Sequence, residues 1–253
     1  MDLGLSGKVF LITAASSGLG RATATQLVAE GARVVLVARR AHVLDEVVAE
    51  LGTARTTALS ADLADPSTAD QASRLALDTF GRLDGALVSV GGPPTGSVLG
   101  TGAQEWADAF ASVFLAPLRV THSVVEHATA PDLAIAWVLS TSVKSPVGGL
   151  AASNGLRPGL AMLVKQLADE LGPDGTRVLG LMPGRVDTDR VRHLDSLSDD
   201  PAAARRAAEG AIPLRRYGRP EEFARVATFV LSPAASYLTG CVVAVEGGAL
   251  RSL

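Results

Sequence analysis

The sequence predicts a single-domain α/β protein built on a doubly wound parallel sheet with helices on both faces. Three observations predict it. Short apolar runs rich in Val, Ile and Leu recur along the chain and read as strands buried on both faces. Helical patterns separate them about once per 25 to 40 residues, which implies right-handed crossovers. The 253 residues are 47% hydrophobic, enough for one large core over 1–253, and no linker or repeat divides them.

The first strand is expected over 9–12, followed by the small-residue turn 13–20 and a helix over 21–31 that stops at Gly31. This strand, turn and helix form half of a dinucleotide-binding unit, where backbone N–H groups at a helix N-terminus receive a pyrophosphate. Strands follow over 33–37 and 56–60, with helices after each, to about 50 and over 67–79. A fourth strand covers 85–90, and 104–130 reads as one long helix bent at Pro117. Strands at 133–139, 177–182 and 241–246 complete the pattern, with helices over 160–171 and 221–231. The polar stretch 187–212, rich in Ala and Arg, reads as irregular. Ligands of such sheets bind beyond the carboxyl ends of the strands, so the chemistry is expected just after Thr13, Ala38, Asp62, Val90, Ser140 and Met182.

A net charge of −3 without a basic block argues against a nucleic-acid partner. No apolar run reaches the roughly 18 residues of a membrane span, and the start lacks a signal-peptide pattern. Cys241 is the single cysteine, so no internal disulfide forms and a cytoplasmic location is expected, with Cys241 a buried structural thiol.

Several marks stand in a fixed order: Thr13-Ala-Ala-Ser-Ser-Gly-Leu-Gly20, Ala61-Asp-Leu63, Phe80-Gly-Arg-Leu-Asp-Gly85, Pro183-Gly-Arg-Val-Asp-Thr188 and Ser236-Tyr-Leu-Thr-Gly240. In these the chain resembles the short-chain dehydrogenase/reductase family over nearly its whole length. The resemblance implies a Rossmann sheet of about seven strands, hydride transfer between NAD(H) or NADP(H) and a carbonyl or alcohol, and a homo-oligomer. It places Thr13, Ala14, Ser16, Ser17, Gly18 and Leu19 around the cofactor, with Asp62 and Leu63 at the adenine. It also places Gly91 beside the cofactor, and Pro183, Gly184, Val186 and Thr188 at the nicotinamide. NAD-preferring members carry an acid where this chain has Ala38. The following Arg39 suits a 2′-phosphate, so NADP(H) is favoured over NAD(H).

The chain also departs from the family. Ala14 replaces the first motif glycine, and Val113 the asparagine of a water relay. Counted back from Leu167-Ala-Asp-Glu-Leu171, the Tyr-x-x-x-Lys motif falls on Ser153 and Arg157. A serine is too short and too weak an acid to replace the phenol, whereas Arg157 still offers donors to the ribose. Pro158 is tolerated in a helix's first turn, which predicts a start near Asn154 or Gly155. The carbonyl-binding serine falls on Thr141 or Ser142, and Ser142 is favoured. Lys144 is either a surface lysine or a displaced acid. His193 lies in the expected substrate lid, 189–212. These features imply a reductase of a keto group, 3-oxoacyl or related, with an altered site. The alternatives are a cofactor-binding sensor or scaffold, and a dehydratase or cyclase on an acyl or polyketide substrate.

Overall fold

The computed structural model describes residues 2–130 and 132–252; of the expected domain span, Met1, Pro131 and Leu253 lie outside them. The strands are β1 (Val9–Thr13), β2 (Arg33–Ala38), β3 (Thr56–Ser60), β4 (Gly85–Val88), β5 (Ala134–Val138), β6 (Arg177–Pro183) and β7 (Val242–Val245). They form one seven-stranded sheet in the order β3-β2-β1-β4-β5-β6-β7, and every neighbouring pair is parallel. The helices between the strands are α1 (Gly18–Ala29), α2 (Ala41–Leu51), α3 (Thr68–Phe80), α4 (Ala103–Ala109), α5 (Ala116–Glu126), α6 (Ala151–Leu171), α7 (Asp189–Asp195), α8 (Pro201–Ala211) and α9 (Pro220–Leu231).

Successive side chains of a strand point to opposite faces, so β1 feeds two cores. Phe10 and Ile12 pack with Ala24 and Leu27 of α1 and Phe223 of α9. Val9 and Leu11 pack with Ala72 of α3, Val124 of α5 and Leu160 of α6. All five residues of β1 are buried, which is why the strand reads as an unbroken apolar run. The strand order reverses between β1 and β4, and that switch point opens the crevice where such sheets take ligands.

Four expectations change. The helix expected over 104–130 is α4 and α5 joined by a π-helical turn, Phe110–Leu115, and it ends at Glu126. Pro117 has no N–H for the carbonyl four residues back, at Val113, and the wider turn absorbs the mismatch. The helix carrying Pro158 begins at Ala151, not near 154, and holds Pro158 inside. Its start is set by the preceding loops. Ala151 N–H donates to Gly96 O at 3.2 Å, and the Asn154 amide clamps both backbone groups of Val147 at 2.9 Å. The stretch 187–212 holds α7 and α8 rather than irregular chain. The Asp200 carboxylate caps α8 by accepting from Ala203 N–H at 2.9 Å, with Pro201 in the first turn. Cys241 is half-buried rather than buried.

Candidate functional site

Two walls flank the crevice. The first is the turn from β1 into α1. Thr13 is completely buried, and its hydroxyl accepts from Ser89 N–H at 2.8 Å while donating to Ser89 O. This joins the ends of β1 and β4 at the switch point, so the Thr13 side chain positions the turn and its hydroxyl is not turned to a ligand. Ala14 takes a left-handed φ of 50°, where its methyl group costs strain that the usual glycine avoids. Gly20 is required by packing. A Cβ there would stand 2.6 Å from Ala14 O and 2.9 Å from Thr13 O, both backbone atoms. Gly20→Ala is therefore expected to cost about 1–3 kcal/mol of stability, seen in thermal melting as a Tm lower by about 2–4 °C per kcal/mol.

No side chain caps α1, and its N-cap residue is Ser17. The Ser17 hydroxyl instead accepts from the Arg40 guanidinium at 3.1 Å, and the Ser16 hydroxyl does so at 3.0 Å. An uncapped helix start beside a guanidinium fits an anion, both by its N–H groups and by the helix dipole. Of the two arginines after β2, it is Arg40 that reaches the turn. Arg39 is largely exposed, 4.0 Å from Asp62. Adjacent residues leaving a strand point to opposite sides, and that is the signal that separates the two. Asp62 itself is exposed, and its carboxylate accepts from Ala64 N–H at 2.9 Å. Leu63 is half-buried against the core.

The loop after β6 lies across from α1. Gly184 N–H donates to Val245 O at 3.0 Å, and a Cβ on Gly184 would stand 2.6 Å from that of Glu246. Val186 is buried and bridges to Gly218. Thr188 starts α7, and its methyl group lies 3.3 Å from where a Cβ on Gly18 would be. The loop thus comes to within van der Waals reach of the start of α1.

The second wall stands at the end of β5. A single 3-10 turn, Thr141–Val143, follows Ser140, whose hydroxyl accepts from Ser142 N–H at 3.2 Å. Ser142 and Ser153 are 4% and 3% exposed, and their hydroxyls lie 3.0 Å apart. Of the two candidates, it is Ser142 rather than Thr141 that meets position 153. Arg157 lies one turn further along α6 on the same face, 6% exposed, and donates to Val138 O at 2.6 Å. Burial, and secondly the charge of Arg190, push the Arg157 guanidinium down to about 10, so it remains a cation at neutral pH. Lys144 is exposed at the end of the turn.

Arg190 of α7 reaches the loop after β4. It donates to Pro93 O at 2.7 Å. Its Nε lies 2.5 Å from where a Cβ on Gly92 would stand, so the glycine makes the approach possible. Gly91 beside it is exposed. His193 is exposed on α7. Tyr217, in contrast, is 3% exposed, and its hydroxyl donates to the Asp195 carboxylate at 3.1 Å. Burial pushes this phenol up. It anchors α7 and is no proton donor for the crevice. Arg205 stacks over its ring at 4.6 Å and pairs with Asp187 at 3.2 Å, tying α8 to the same anchor.

The model of the enoyl-(acyl carrier protein) reductase family matches residues 13–249. A 3-oxoacyl-[acyl-carrier-protein] reductase of Synechocystis is 31% identical, over 96% of this chain and 97% of its own. Dehydrogenase/reductase SDR family member 4 of Bos taurus is 32% identical, over 98% and 89%. Among solved structures, L-sorbose reductase of Gluconobacter frateurii, complexed with NADPH and L-sorbose, matches over all of both chains with a TM-score of 0.94 and 28% identity. With this sheet order, turn and pair of walls, the chain belongs to the short-chain dehydrogenase/reductase family.

Proposed function

We propose that the protein is an NADP(H)-dependent reductase of a keto group whose proton transfer does not run through the family's tyrosine and lysine. The observation that carries the reading is the pairing of the two walls. An uncapped helix start with Arg40 on its serines and a buried hydroxyl pair, Ser142 and Ser153, backed by Arg157, both follow carboxyl ends of strands of the same parallel sheet. The 3-oxoacyl reductase and the NADPH-bound sorbose reductase support the reaction class and the cofactor.

When bound, the cofactor supplies a hydride. Gly18 and Leu19 would hold its pyrophosphate on N–H groups, Arg40 with Arg39 its 2′-phosphate, and Asp62 with Leu63 its adenine. Val186 and Thr188 would hold the carboxamide. Gly91, beside the site, leaves the cofactor room, and Pro183 and Gly184 set the course of the loop. Ser142 donates to the substrate's carbonyl oxygen and polarises it. Ser153 accepts from or donates to Ser142, so the pair can pass a proton inward from water. Arg157 holds the end of β5 through Val138 O and adds positive charge where oxyanion character develops.

Titration with NADPH and with NADH, followed by a panel of keto compounds, tests the reading. Tighter binding of NADPH, with reduction of a ketone, is the expected result. Tight binding without reduction of any carbonyl compound would favour a sensor or scaffold.

Assembly is part of the proposal. Phe110 is 42% and Met162 72% exposed, Phe110 stacks on Phe114 at 5.0 Å, and Leu163 and Leu167 are half-buried on α6. Such an apolar face suits a symmetric partner. Light scattering at micromolar concentration is expected to give a dimer or tetramer, and a monomer would contradict this.

A further inference from the structure

We propose that Arg119 of α5 is a positioning residue for the cofactor's base. It holds the loop after β3 so that the Asp62 carboxylate is set to accept from an adenine amino group. The proposal rests on the cofactor reading above and adds a residue to that site.

β3 is an edge strand, so the loop that leaves it, 61–67, has no strand neighbour on its outer side. Its start is tied to β2, where Ala61 N–H donates to Ala38 O at 3.0 Å. Beyond that point the loop folds on itself. The Asp62 carboxylate accepts from Ala64 N–H at 2.9 Å through Oδ1, and the Thr68 hydroxyl donates to Asp62 O at 2.7 Å. The tether from outside is Arg119, whose guanidinium donates to Ala64 O at 3.0 Å. Arg119 thus holds, by its carbonyl, the residue whose N–H orients the Asp62 carboxylate. With Oδ1 on Ala64, the exposed Asp62 keeps Oδ2 for a ligand, 4.0 Å from Arg39.

The reach of Arg119 belongs to a pattern. Arg119, Ser123 and His127 follow one another at four-residue spacing along α5 and its end, and so share a face. The Ser123 hydroxyl donates to Ala69 O at 3.1 Å and to the Ser73 hydroxyl at 2.8 Å. The His127 ring lies 3.4 Å from the Asp70 carboxylate. These two seat α3. α5 runs back from the carboxyl ends of the strands, so Arg119 is the member nearest the end where ligands bind, and it meets the loop ahead of α3. A guanidinium makes a charge-assisted bond to the carbonyl. Among the described residues no carboxylate forms an ion pair with Arg119, so its donors are not drawn away from the loop.

An ionised carboxylate can only accept hydrogen bonds. Adenine offers it the amino group at C6. Hypoxanthine has a carbonyl there, which cannot donate and would face the carboxylate oxygen to oxygen. An Asp62 held in place separates the two bases, and an Asp62 left loose does not.

The test is calorimetric titration with NADPH and with its hypoxanthine analogue. The unmodified protein is expected to bind NADPH about tenfold more tightly than the analogue. Arg119→Met keeps the apolar stem and removes the donors. It is expected to weaken NADPH by about five- to tenfold and the analogue by no more than about twofold, so the ratio narrows. Arg119→Lys keeps one donor group and is expected to fall between, and it carries the test if thermal melting shows Arg119→Met unfolded. Ser123→Ala loosens α5 from α3 without touching the loop. It is expected to lower the Tm by about 2–4 °C and to leave the ratio unchanged. Tight NADPH binding with no preference for its base would overturn the proposal. So would an unchanged ratio in Arg119→Met, or in Arg119→Lys where that alone folds. Equal weakening of both nucleotides would also overturn it, because Arg119 would then only stabilise the fold. Failure of the unmodified protein to bind either dinucleotide would remove the cofactor reading, and this proposal with it.

Discussion

Ser142→Ala is expected to lower kcat/KM for keto reduction by about 10²- to 10³-fold, the usual effect of losing one donor to a developing oxyanion. Ser142 is the serine held by the 3-10 turn at the end of β5, with its N–H fixed on the Ser140 hydroxyl. Its own hydroxyl meets Ser153, by side chain at 3.0 Å and by carbonyl at 3.4 Å. A substrate carbonyl can therefore draw that hydrogen without breaking a strong bond. Ser153→Ala removes the second member of the pair but not the donor, and a fall of about tenfold or less is expected, because water can still reach Ser142. The comparison is made by steady-state kinetics on both variants. A Ser153→Ala loss larger than that of Ser142→Ala would reverse the two roles.

The second large effect concerns cofactor choice. Arg40→Ala is expected to weaken NADPH by about ten- to a hundredfold and NADH hardly at all, since a charge-assisted pair is worth roughly 1.5–3 kcal/mol. Arg40 is already drawn over the turn by Ser16 and Ser17, so it is set in place before the phosphate arrives. Arg39→Ala should matter less. Its side chain is 78% exposed beside Asp62 at 4.0 Å, and exposed pairs contribute about 0–1 kcal/mol. Fluorescence titration of both nucleotides decides between them. Loss of the preference in Arg39→Ala alone would move the phosphate to Arg39.

What the sequence revealed and what it hid have physical reasons. β1 and β2 are buried on both faces, and their runs Val9–Thr13 and Arg33–Ala38 carry that burial in their composition. The small residues from Thr13 to Gly20 marked the turn because backbone packing demands them, as at Gly20. The second wall was legible only through a resemblance and a residue count, since Ser142, Ser153 and Arg157 meet through tertiary contact. Arg190 left no signal. Its reach from α7 to Pro93 O is one that no spacing encodes. Pro158 misled because the helix start is decided by Gly96 and Val147, which lie in loops. The start of α8 is legible in Asp200-Pro201, a capping residue before a first-turn proline, although the stretch around it is charged and alanine-rich and shows no apolar period.

The central claim is that this chain moves hydride to a keto carbon without a tyrosine at position 153. Incubation of the protein with stereospecifically deuterated NADPH and a keto substrate, with mass spectrometry of the product, tests it most directly. One deuterium on the carbinol carbon of the alcohol is expected, with the label lost from the nucleotide in equal amount. NADPH bound at full occupancy, with the deuterium retained on the nucleotide and no alcohol formed from any keto compound, would contradict it.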